Sequence, residues 1–459
     1  MERRSKSLGG KAFQLLIVCF LIVIVVLAVI GSVLFFEGEK PQITLKDNPD
    51  FIGSSSEIGF TVADLKSGLR SVKMIIKQNN KEKELFANTY PRSGYTGRIG
   101  PAEEKRTLLF EPRKAGFSDG PAEIEIEAHD YSLRGLLAGN ATILRKNITI
   151  DTQPPKIDLL HNERLIKPGG SGIVIYRLSP DAVSNGVQVN TRFFPGFPVD
   201  NNKKDIFIAY FCLPYDASNI DISQVVAKDK AGNRSVISFN VTLQKTVQKS
   251  DQISIDDGFL NAKIPEFQQH YPEMTGDLKD KYLYANNTIR RENDKIIQTL
   301  CQTPYPDRLW QGRFFRMPGS PRAGYADHRT YLYKGEPIDK QVHLGVDIAQ
   351  TERAEVKAAN KGKVVFAEYL GIYGNTIILD HGQGIFSLYS HLSEFNTTVG
   401  EVVEQGHVIA RTGHTGMAGG DHLHFSMLVH GIFVTPVEWW DPHWIDVTID
   451  EPLKEVRNK

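Results

Sequence analysis

The stretch His422-Leu-His-Phe-Ser-Met-Leu-Val429 places histidines in alternation with apolar side chains, which is the pattern of a half-buried β-strand. Successive side chains of a strand point to opposite faces, so His422 and His424 share one face. Leu423 and Phe425 then point the other way, into a core. The stretch therefore predicts a sheet that presents two imidazoles on one surface.

A second string, His343-Leu-Gly-Val-Asp347, carries the complementary groups. In an extended segment His343 and Asp347 face the same side, with Gly345 leaving space between them. Two imidazoles and one carboxylate, with a fourth position open, form a ligand set for catalytic zinc. Two short strands meeting at a groove would bring His343, Asp347 and His424 to one Zn²⁺ ion.

Two more strings complete a recognisable set, namely Tyr389-Ser-His-Leu-Ser393 and Gly413-His-Thr-Gly416. With them the chain resembles the lysostaphin/LytM-like family of zinc endopeptidases, which cut peptide bonds in bacterial peptidoglycan. The family signature is H-x-G-x-D, then a histidine in an S-H-L-S-like string, then T-G followed by H-L-H-F. All parts occur in this order over about residues 313–445.

The resemblance implies a role for each of five residues. His343, Asp347 and His424 match the zinc ligands, while His391 and His422 match two catalytic histidines that do not bind the metal. These two would orient a water molecule, take up its proton and stabilise the tetrahedral intermediate. The chain contains no H-E-x-x-H string, so a histidine is the expected base.

One segment departs from the family pattern. Gly324-Tyr-Ala-Asp-His-Arg329 occupies the place of a usual Phe-Gly-x-x-Arg string, with Tyr325 and Ala326 instead of Phe and Gly. The departure concerns the wall of the groove rather than the metal ligands.

Two other functions stay open. One is a non-hydrolytic LytM-like protein that binds the wall or activates another hydrolase, and the other is an endopeptidase that cuts a protein. The presence of all five site residues favours hydrolysis, because a binding groove alone does not need metal-ligand chemistry. A protein regulator is not identified by the sequence.

The N-terminal segment predicts a membrane anchor. No residue from Ala12 to Phe36 is charged, and such a run suffices to cross a hydrocarbon core that needs roughly 20 residues. Basic residues precede the run and Glu37 and Glu39 follow it, so the N-terminus is expected in the cytoplasm and the rest outside. We expect a single-pass protein of a bacterial cytoplasmic membrane; a cleaved signal sequence is the alternative.

Composition narrows the partners. The chain has 54 basic and 54 acidic residues, and no Lys/Arg run appears in the sequence beyond the N-terminal flank, which argues against nucleic acid as a partner. Cys212 and Cys301 are the only cysteines outside the apolar run, too few for a disulfide scaffold. Whether these two cysteines pair is left open.

The strand and turn pattern predicts a mainly β protein with two tandem immunoglobulin-like β-sandwiches and a C-terminal antiparallel β-sheet peptidase domain. A short helical connector joins them. The predicted segments are a cytoplasmic tail 1–11, a transmembrane anchor 12–36, sandwiches 37–152 and 153–245, a helical connector 246–312, the zinc endopeptidase domain 313–445 and a C-terminal tail 446–459.

The connector shows an apolar stripe at helical spacing: Leu278, Tyr282, Ala285, Ile289, Ile296 and Leu300. Arg290 is predicted on the opposite, polar face. The stripe is expected to pack on the peptidase or on the neighbouring sandwich. Alternatively, the connector covers the groove and keeps the enzyme latent.

Overall fold

The protein is mainly β, as the sequence predicts, with 45% strand and 19% helix. The computed structural model describes residues 8–94, 97–134, 138–200, 203–247 and 249–457. The predicted tails 1–11 and 446–459 therefore lie partly outside the described residues, at 1–7 and 458–459.

The N-terminal helix α1 spans Leu8–Phe35. Its segment Phe13–Ser32 is long and apolar enough to cross a membrane by length and composition, and a signal sequence near an N-terminus meets the same criteria.

The chain divides into two compact units, and the first comprises residues 1–154 and 228–234. Its strands are β1 Gln42–Leu45, β2 Phe51–Ile52, β3 Ser56–Ala63, β4 Leu69–Gln78, β5 Lys81–Thr89, β6 Glu103–Phe110, β7 Gly120–Asp130 and β8 Ala141–Ile150. They form two sheets, in the orders β1-β3-β6 and β2-β8-β7-β4-β5. Alternate residues of both sheets, such as Ile58 and Phe60 of β3 and Ile124 and Ile126 of β7, are buried in one core.

The second unit comprises residues 155–227 and 235–459. The strands that follow Pro155 are β9 Ile157–Asn162, β10 Leu165–Ile166, β11 Ser171–Leu178, β12 Ala182–Val189, β13 Arg192–Pro195, β14 Phe197–Asp200, β15 Lys203–Cys212, β16 Ser223–Asp229, β17 Arg234–Ser238 and β18 Thr242–Leu243. They pair in the orders β14-β15-β11-β9, β13-β12-β16-β17 and β10-β18. The immunoglobulin-like topology of both sandwiches stays a prediction.

The connector range is not purely helical. It starts with strand β19 Ser250–Ile255, which pairs in parallel with a strand of the peptidase region, and the helices follow. These are α2 Asp257–His270, α3 Leu278–Leu283, a π-helical segment Tyr284–Ile289 and α4 Arg290–Leu300. The sequence analysis missed β19 because six residues of alternating polarity precede a longer helical pattern.

The π-helical segment also changes which side chains of α4 are buried. A π turn adds a residue to the helical repeat, so every later side chain rotates relative to an α-helical stripe. Ile296, predicted in the stripe, is 42% exposed, whereas Ile297 is fully buried. The phase of the prediction was therefore wrong beyond Ile289.

The C-terminal region forms a ten-stranded sheet in which the strand pairs are antiparallel, as predicted. Its strands are β20 Ser320–Ala323, β23 Val346–Ala349, β24 Glu355–Lys357, β25 Gly362–Tyr369, β26 Asn375–Asp380, β27 Ile385–Phe395, β28 Val402–Val403, β29 Val408–Thr412, β30 Leu423–Val429 and β31 Ile432–Val434. A smaller sheet, β19-β21-β22, is completed by β21 Asp327–Tyr333 and β22 Glu336–His343. A short 3₁₀ turn, Gly371–Tyr373, precedes β26.

The segment predicted as a C-terminal tail is folded. Helices α5 Pro436–Trp440, α6 Pro442–Ile445 and α7 Glu451–Arg457 follow the sheet, with a π-helical segment Asp446–Asp450 between the last two. Ile449 and Val456 are buried in the core. Their seven-residue spacing puts both side chains on one helical face. The segment is too short for this pattern to predict a helix from the sequence.

The sandwich of the second unit and the peptidase region share a continuous core. Tyr210 of β15 lies edge-on to Trp310, whose ring also contacts Trp439 of α5. Next to these rings the buried Glu438 accepts a hydrogen bond from the Ser171 N–H at 2.9 Å. This sandwich therefore packs on the peptidase region through a shared core.

We predict that Glu438→Gln stabilises the protein at pH 7.5 more than at pH 4.5. Burial raises the pKa of Glu438 to about 6, an effect that the ammonium of Lys167 only partly offsets. Because this acid has a folded-state pKa above its unfolded value of 4.5, stability falls as pH rises through that interval, by about 2 kcal/mol in total. Glutamine keeps the acceptor for Ser171 without the charge.

The measurement is the melting temperature of the full chain in detergent at both pH values. Glu455→Gln, which removes an exposed carboxyl from α7, is the matched control. A Glu438→Gln effect that is the same at both pH values would contradict the assignment.

Candidate metal centre

Three side chains from separate strands converge on one point. His343 Nε2, His424 Nδ1 and Asp347 Oδ1 lie 2.9 Å from one another. All three residues are more than nine-tenths buried. The structure therefore brings together the three residues predicted as zinc ligands.

Strand pairing explains the convergence. Asp347 of β23 stands directly opposite His424 of β30 in the antiparallel register. His343 is the last residue of β22, which belongs to the smaller sheet. Leu344 and Gly345 are not part of a strand, and β23 of the larger sheet begins at Val346. The expectation of one extended segment from His343 to Asp347 was thus wrong, although both side chains reach the same point.

A backbone carbonyl fixes the tautomer of His343. The carbonyl oxygen of Gly324 lies 2.7 Å from His343 Nδ1 and can only accept a hydrogen bond. The proton of the neutral ring is therefore on Nδ1, and the lone pair is on Nε2. That lone pair points at the shared centre.

A serine fixes the tautomer of His424 in the opposite sense. The Ser426 hydroxyl donates to the carbonyl of Leu344 at 2.8 Å, so its oxygen accepts from His424 Nε2 at 3.0 Å. The lone pair of His424 is then on Nδ1, which also points at the centre. Ser426 lies two residues beyond His424 on the same face of the strand, so the spacing alone could have identified it.

These groups fit a zinc ion. Two nitrogen lone pairs and a carboxylate oxygen face one another, an arrangement that is repulsive unless a cation lies between them. Ligand atoms 2.0–2.1 Å from a tetrahedral zinc stand roughly 3.3 Å apart, so a small outward shift from 2.9 Å would accommodate the ion. The donor set is the one that zinc prefers.

His391 and His422 flank this centre. His391 Nδ1 donates to the carbonyl of Thr415 at 2.9 Å, and His422 Nδ1 donates to the carbonyl of Gly420 at 2.8 Å. Both rings thus keep a lone pair on Nε2, and His422 Nε2 lies 3.6 Å from Asp347 Oδ1. The ring centroids of the two histidines are 4.8 Å apart.

The backbone of His391 is itself unusual. Its φ is +61°, in the left-handed region that non-glycine residues rarely adopt. Such strain persists where the surrounding structure fixes a residue in place, and it is common at functional sites.

Burial and charge tune the cluster. Burial lowers the pKa of His424 to about 4 and that of His391 well below its usual value. Burial would raise the pKa of Asp347, but the neighbouring histidines, His343 foremost, outweigh it and hold that pKa well below its usual range. For His422 burial acts to lower the pKa, and the carboxylate of Asp347 raises it overall. Asp347 is thus an anion near pH 7, while His391 and His424 are neutral.

The arginine that ends the Gly324–Arg329 string contacts the cluster. Arg329 Nη2 lies 3.3 Å from Asp347 Oδ2, the oxygen that does not face the histidines. This contact fixes the carboxylate orientation and leaves Oδ1 for the centre. The sequence analysis quoted Arg329 only as part of the family string and gave it no role.

The departure at Tyr325 and Ala326 lies beside His343. Ala326 N–H donates to the His343 carbonyl at 2.8 Å, and Ala326 has φ +62°, a conformation that suits the glycine of the family pattern. The Tyr325 hydroxyl donates to the Phe433 carbonyl at 2.8 Å. The departure therefore affects the support of a ligand as well as the groove wall.

The centre opens into a groove of about 300 Å³ whose far wall comes from the connector. Ile255 and Phe259 line this wall, and Tyr282 and Arg290 extend it. The connector is anchored from behind, because Leu260, Phe267, Tyr282 and Ile297 share a buried cluster with Ile372, Phe386 and Leu428 of the peptidase region. The connector therefore forms one side of the groove.

Polar contacts tie the same wall to the loop that precedes His422. Lys263 Nζ donates to the His414 carbonyl, and Glu266 Oε1 accepts from the Gly416 N–H at 2.6 Å. Sequence analysis missed this wall, because these contacts span about 150 residues.

Cys212 and Cys301 are both buried, and they do not form a disulfide in the structure. Burial raises the pKa of each thiol.

The sequence model of peptidase family M23 matches residues 341–436, an interval that contains all five predicted site residues. Residues 341–436 belong to peptidase family M23. This confirms the expected resemblance to lysostaphin/LytM-like peptidases.

Three curated relatives illustrate the range of the family. The chain is 37% identical over 107 residues to the DD-carboxypeptidase/endopeptidase Mpg of Neisseria meningitidis, which is 23% of this chain and 25% of Mpg. It is 36% identical over 106 residues to the murein hydrolase activator EnvC of Escherichia coli, 23% of this chain and 25% of EnvC. It is 34% identical over 215 residues to the peptidoglycan DD-endopeptidase ShyB of Vibrio cholerae, 42% of this chain and 49% of ShyB.

The chain thus spans between a quarter and half of the length of these relatives. Their names include both hydrolases and an activator, so M23 membership alone leaves hydrolysis open.

We predict that Gly345→Ala weakens metal binding. A Cβ at this position would lie 2.6 Å from His424 Nε2 and 2.6 Å from Ser426 Oγ, so the ring that presents Nδ1 has to turn away. Loss of such an orienting contact typically costs 10- to 100-fold in metal affinity, that is, about one to two orders of magnitude.

The measurement is a zinc competition titration of the full chain against a chromophoric chelator. Gly94→Ala is the control, because a Cβ there would meet no atom within 4 Å. Equal zinc affinity of Gly345→Ala and the wild type would contradict the prediction that a side chain at position 345 displaces the His424 ring from the metal.

Proposed function

We propose that this chain is a membrane-anchored, zinc-dependent endopeptidase that hydrolyses peptide bonds in the stems or cross-bridges of peptidoglycan. The observation that carries the proposal is the convergence of two histidine lone pairs and one carboxylate oxygen on a single point beside an open groove. Similarity to ShyB, a peptidoglycan DD-endopeptidase, supports the substrate class.

In this proposal His343 Nε2, Asp347 Oδ1 and His424 Nδ1 hold one zinc ion. When bound, the ion supplies Lewis-acid activation of a water molecule and of the scissile carbonyl. His391 and His422 present Nε2 lone pairs toward the same space, so each can accept a proton from the water or donate one after protonation. The apolar connector wall limits the access of bulk water and strengthens these electrostatic interactions.

Helix α1 would hold the active region at a bacterial cytoplasmic membrane, with the bulk of the chain on the outer side. A cleaved signal sequence would instead release it. Membrane fractionation of the native protein, with N-terminal sequencing, separates the two: an intact N-terminus in the membrane fraction supports the anchor.

The second candidate function is a non-hydrolytic wall-binding protein or an activator of another hydrolase, and the similarity to EnvC favours it. The zinc-ligand geometry and the two flanking histidines weigh against it, because an activator surface does not require them.

We predict that the five residues divide into two classes. Asp347→Asn and His343→Ala should abolish zinc retention, whereas His391→Ala should retain zinc and lose hydrolysis by a factor of 10²–10⁴, roughly the contribution of a general base. Zinc content is measured by elemental analysis of the purified full chain, and activity by the release of new amino termini from purified wall. Full activity of His391→Ala would refute this division.

The wall experiment with and without a chelator separates the candidate functions. Metal-dependent release of amino termini supports the endopeptidase, and binding without release supports the activator. Inert wall together with cleavage of a protein substrate would indicate a protein endopeptidase. The identity of the new amino terminus gives the bond that is cut.

A further inference from the structure

Two arginines, Arg290 and Arg329, line the groove, and only one of them contacts the metal centre. Both lie outside the interval 341–436 that matches the peptidase family. Arg329 is engaged with Asp347 at 3.3 Å. Arg290 is the first residue of α4 and reaches the groove from the connector.

The guanidinium of Arg290 is held in one orientation. Its Nε donates to the Asn286 carbonyl at 3.1 Å, and its Nη2 donates to Asn286 Oδ1 at 2.5 Å. Asn286 is fully buried, and its amide nitrogen donates to Asp339 at 2.7 Å, so its oxygen must face the arginine. Asn286, itself held by Asp339, thus fixes the position of the Arg290 guanidinium.

This cation has no carboxylate partner within 4.0 Å among the described residues. The positive charge of Arg290 acts on the carboxylate of Asp294, one turn along α4, but the two side chains do not form an ion pair. The Asp256 carboxylate, also at the groove, caps helix α2 through the Phe259 N–H at 2.8 Å. Arg290 therefore keeps guanidinium N–H groups that these partners do not use.

The groove walls strengthen the interaction between Arg290 and an anionic partner. Tyr282, Tyr331 and Tyr373 line the same groove, so part of its wall is aromatic. A guanidinium next to such walls binds a carboxylate more strongly than it would in open solvent, and its planar fork favours a two-point contact.

We propose that Arg290 binds a free carboxylate that the substrate peptide carries beside the scissile bond. The enzyme would accordingly select anionic wall peptides over those in which this carboxylate is amidated. The inference rests on the proposed function and adds the chemistry that selects the substrate. The π-helical segment Tyr284–Ile289 makes the contact possible, because it turns Arg290 from the predicted polar face to the groove.

The test compares two forms of one wall preparation. Purified peptidoglycan is either left native or treated with carbodiimide and methylamine, which converts its free carboxylates into neutral amides. The full chain in detergent is assayed on both for the rate of release of new amino termini. We expect the wild type to cut native wall roughly 10- to 100-fold faster, as for a charge-assisted hydrogen-bond pair.

Three variants distinguish recognition from a structural role. Arg290→Gln should be slow on native wall and should lose the discrimination, while its zinc content stays at the wild-type level. Arg290→Lys keeps the charge without the planar fork and should retain part of the discrimination. Arg291→Gln, which removes an adjacent exposed arginine whose Nε donates to the Asn287 carbonyl, is the matched control and should behave as the wild type.

The outcomes separate the two proposals. If the wild type cuts both walls at the same rate, or if Arg290→Gln discriminates as well as the wild type, the carboxylate inference is wrong and the endopeptidase proposal stands. If the wild type releases no amino termini from either wall, the proposed function fails and the inference fails with it. Mass spectrometry of fragments from partly amidated wall then tells a chain-end carboxylate from a side-chain carboxylate.

Discussion

The candidate metal centre requires that two imidazole lone pairs and one carboxylate oxygen point at a single position. Groups outside the cluster set this orientation: the Gly324 carbonyl accepts a hydrogen bond from His343 Nδ1–H, and Ser426 Oγ accepts one from His424 Nε2–H. Without these two acceptors each ring could present an N–H instead of a lone pair, and the geometry would no longer fit a metal ion. The turn that holds Gly324 and the strand that holds Ser426 therefore matter as much as the ligands.

The family interval 341–436 does not form the groove alone. The connector contributes strand β19 to the smaller sheet and buries Leu260 and Ile297 against the strands that carry the site. On the other side, the second sandwich shares a core with Trp310 and Trp439. The segments predicted as a second sandwich and a helical connector thus share buried cores with the peptidase region.

Much of the candidate site follows from short spacing along the sequence. The two-residue spacing of His422 and His424 puts both imidazoles on one face of β30, and Leu423 and Phe425 are buried on the other, as a strand requires. The four-residue spacing of His343 and Asp347 led to the right pair by a wrong route, because the chain leaves one sheet and enters another between them. Helix phase was less predictable: the π-helical turn before Arg290 shifts the buried positions from Ile296 to Ile297.

Residue type and periods of two to four residues were enough to predict the mainly β class, the apolar N-terminal helix and the pairs His343–Asp347 and His422–His424, whereas His391 came from the family resemblance. The groups that support these side chains follow from the tertiary fold. The Gly324 carbonyl that accepts from His343, the contact of Arg329 with Asp347 and the contacts of the connector wall join residues that lie up to about 150 positions apart. Local patterns carry no information about such pairs, since chain folding rather than spacing brings them together.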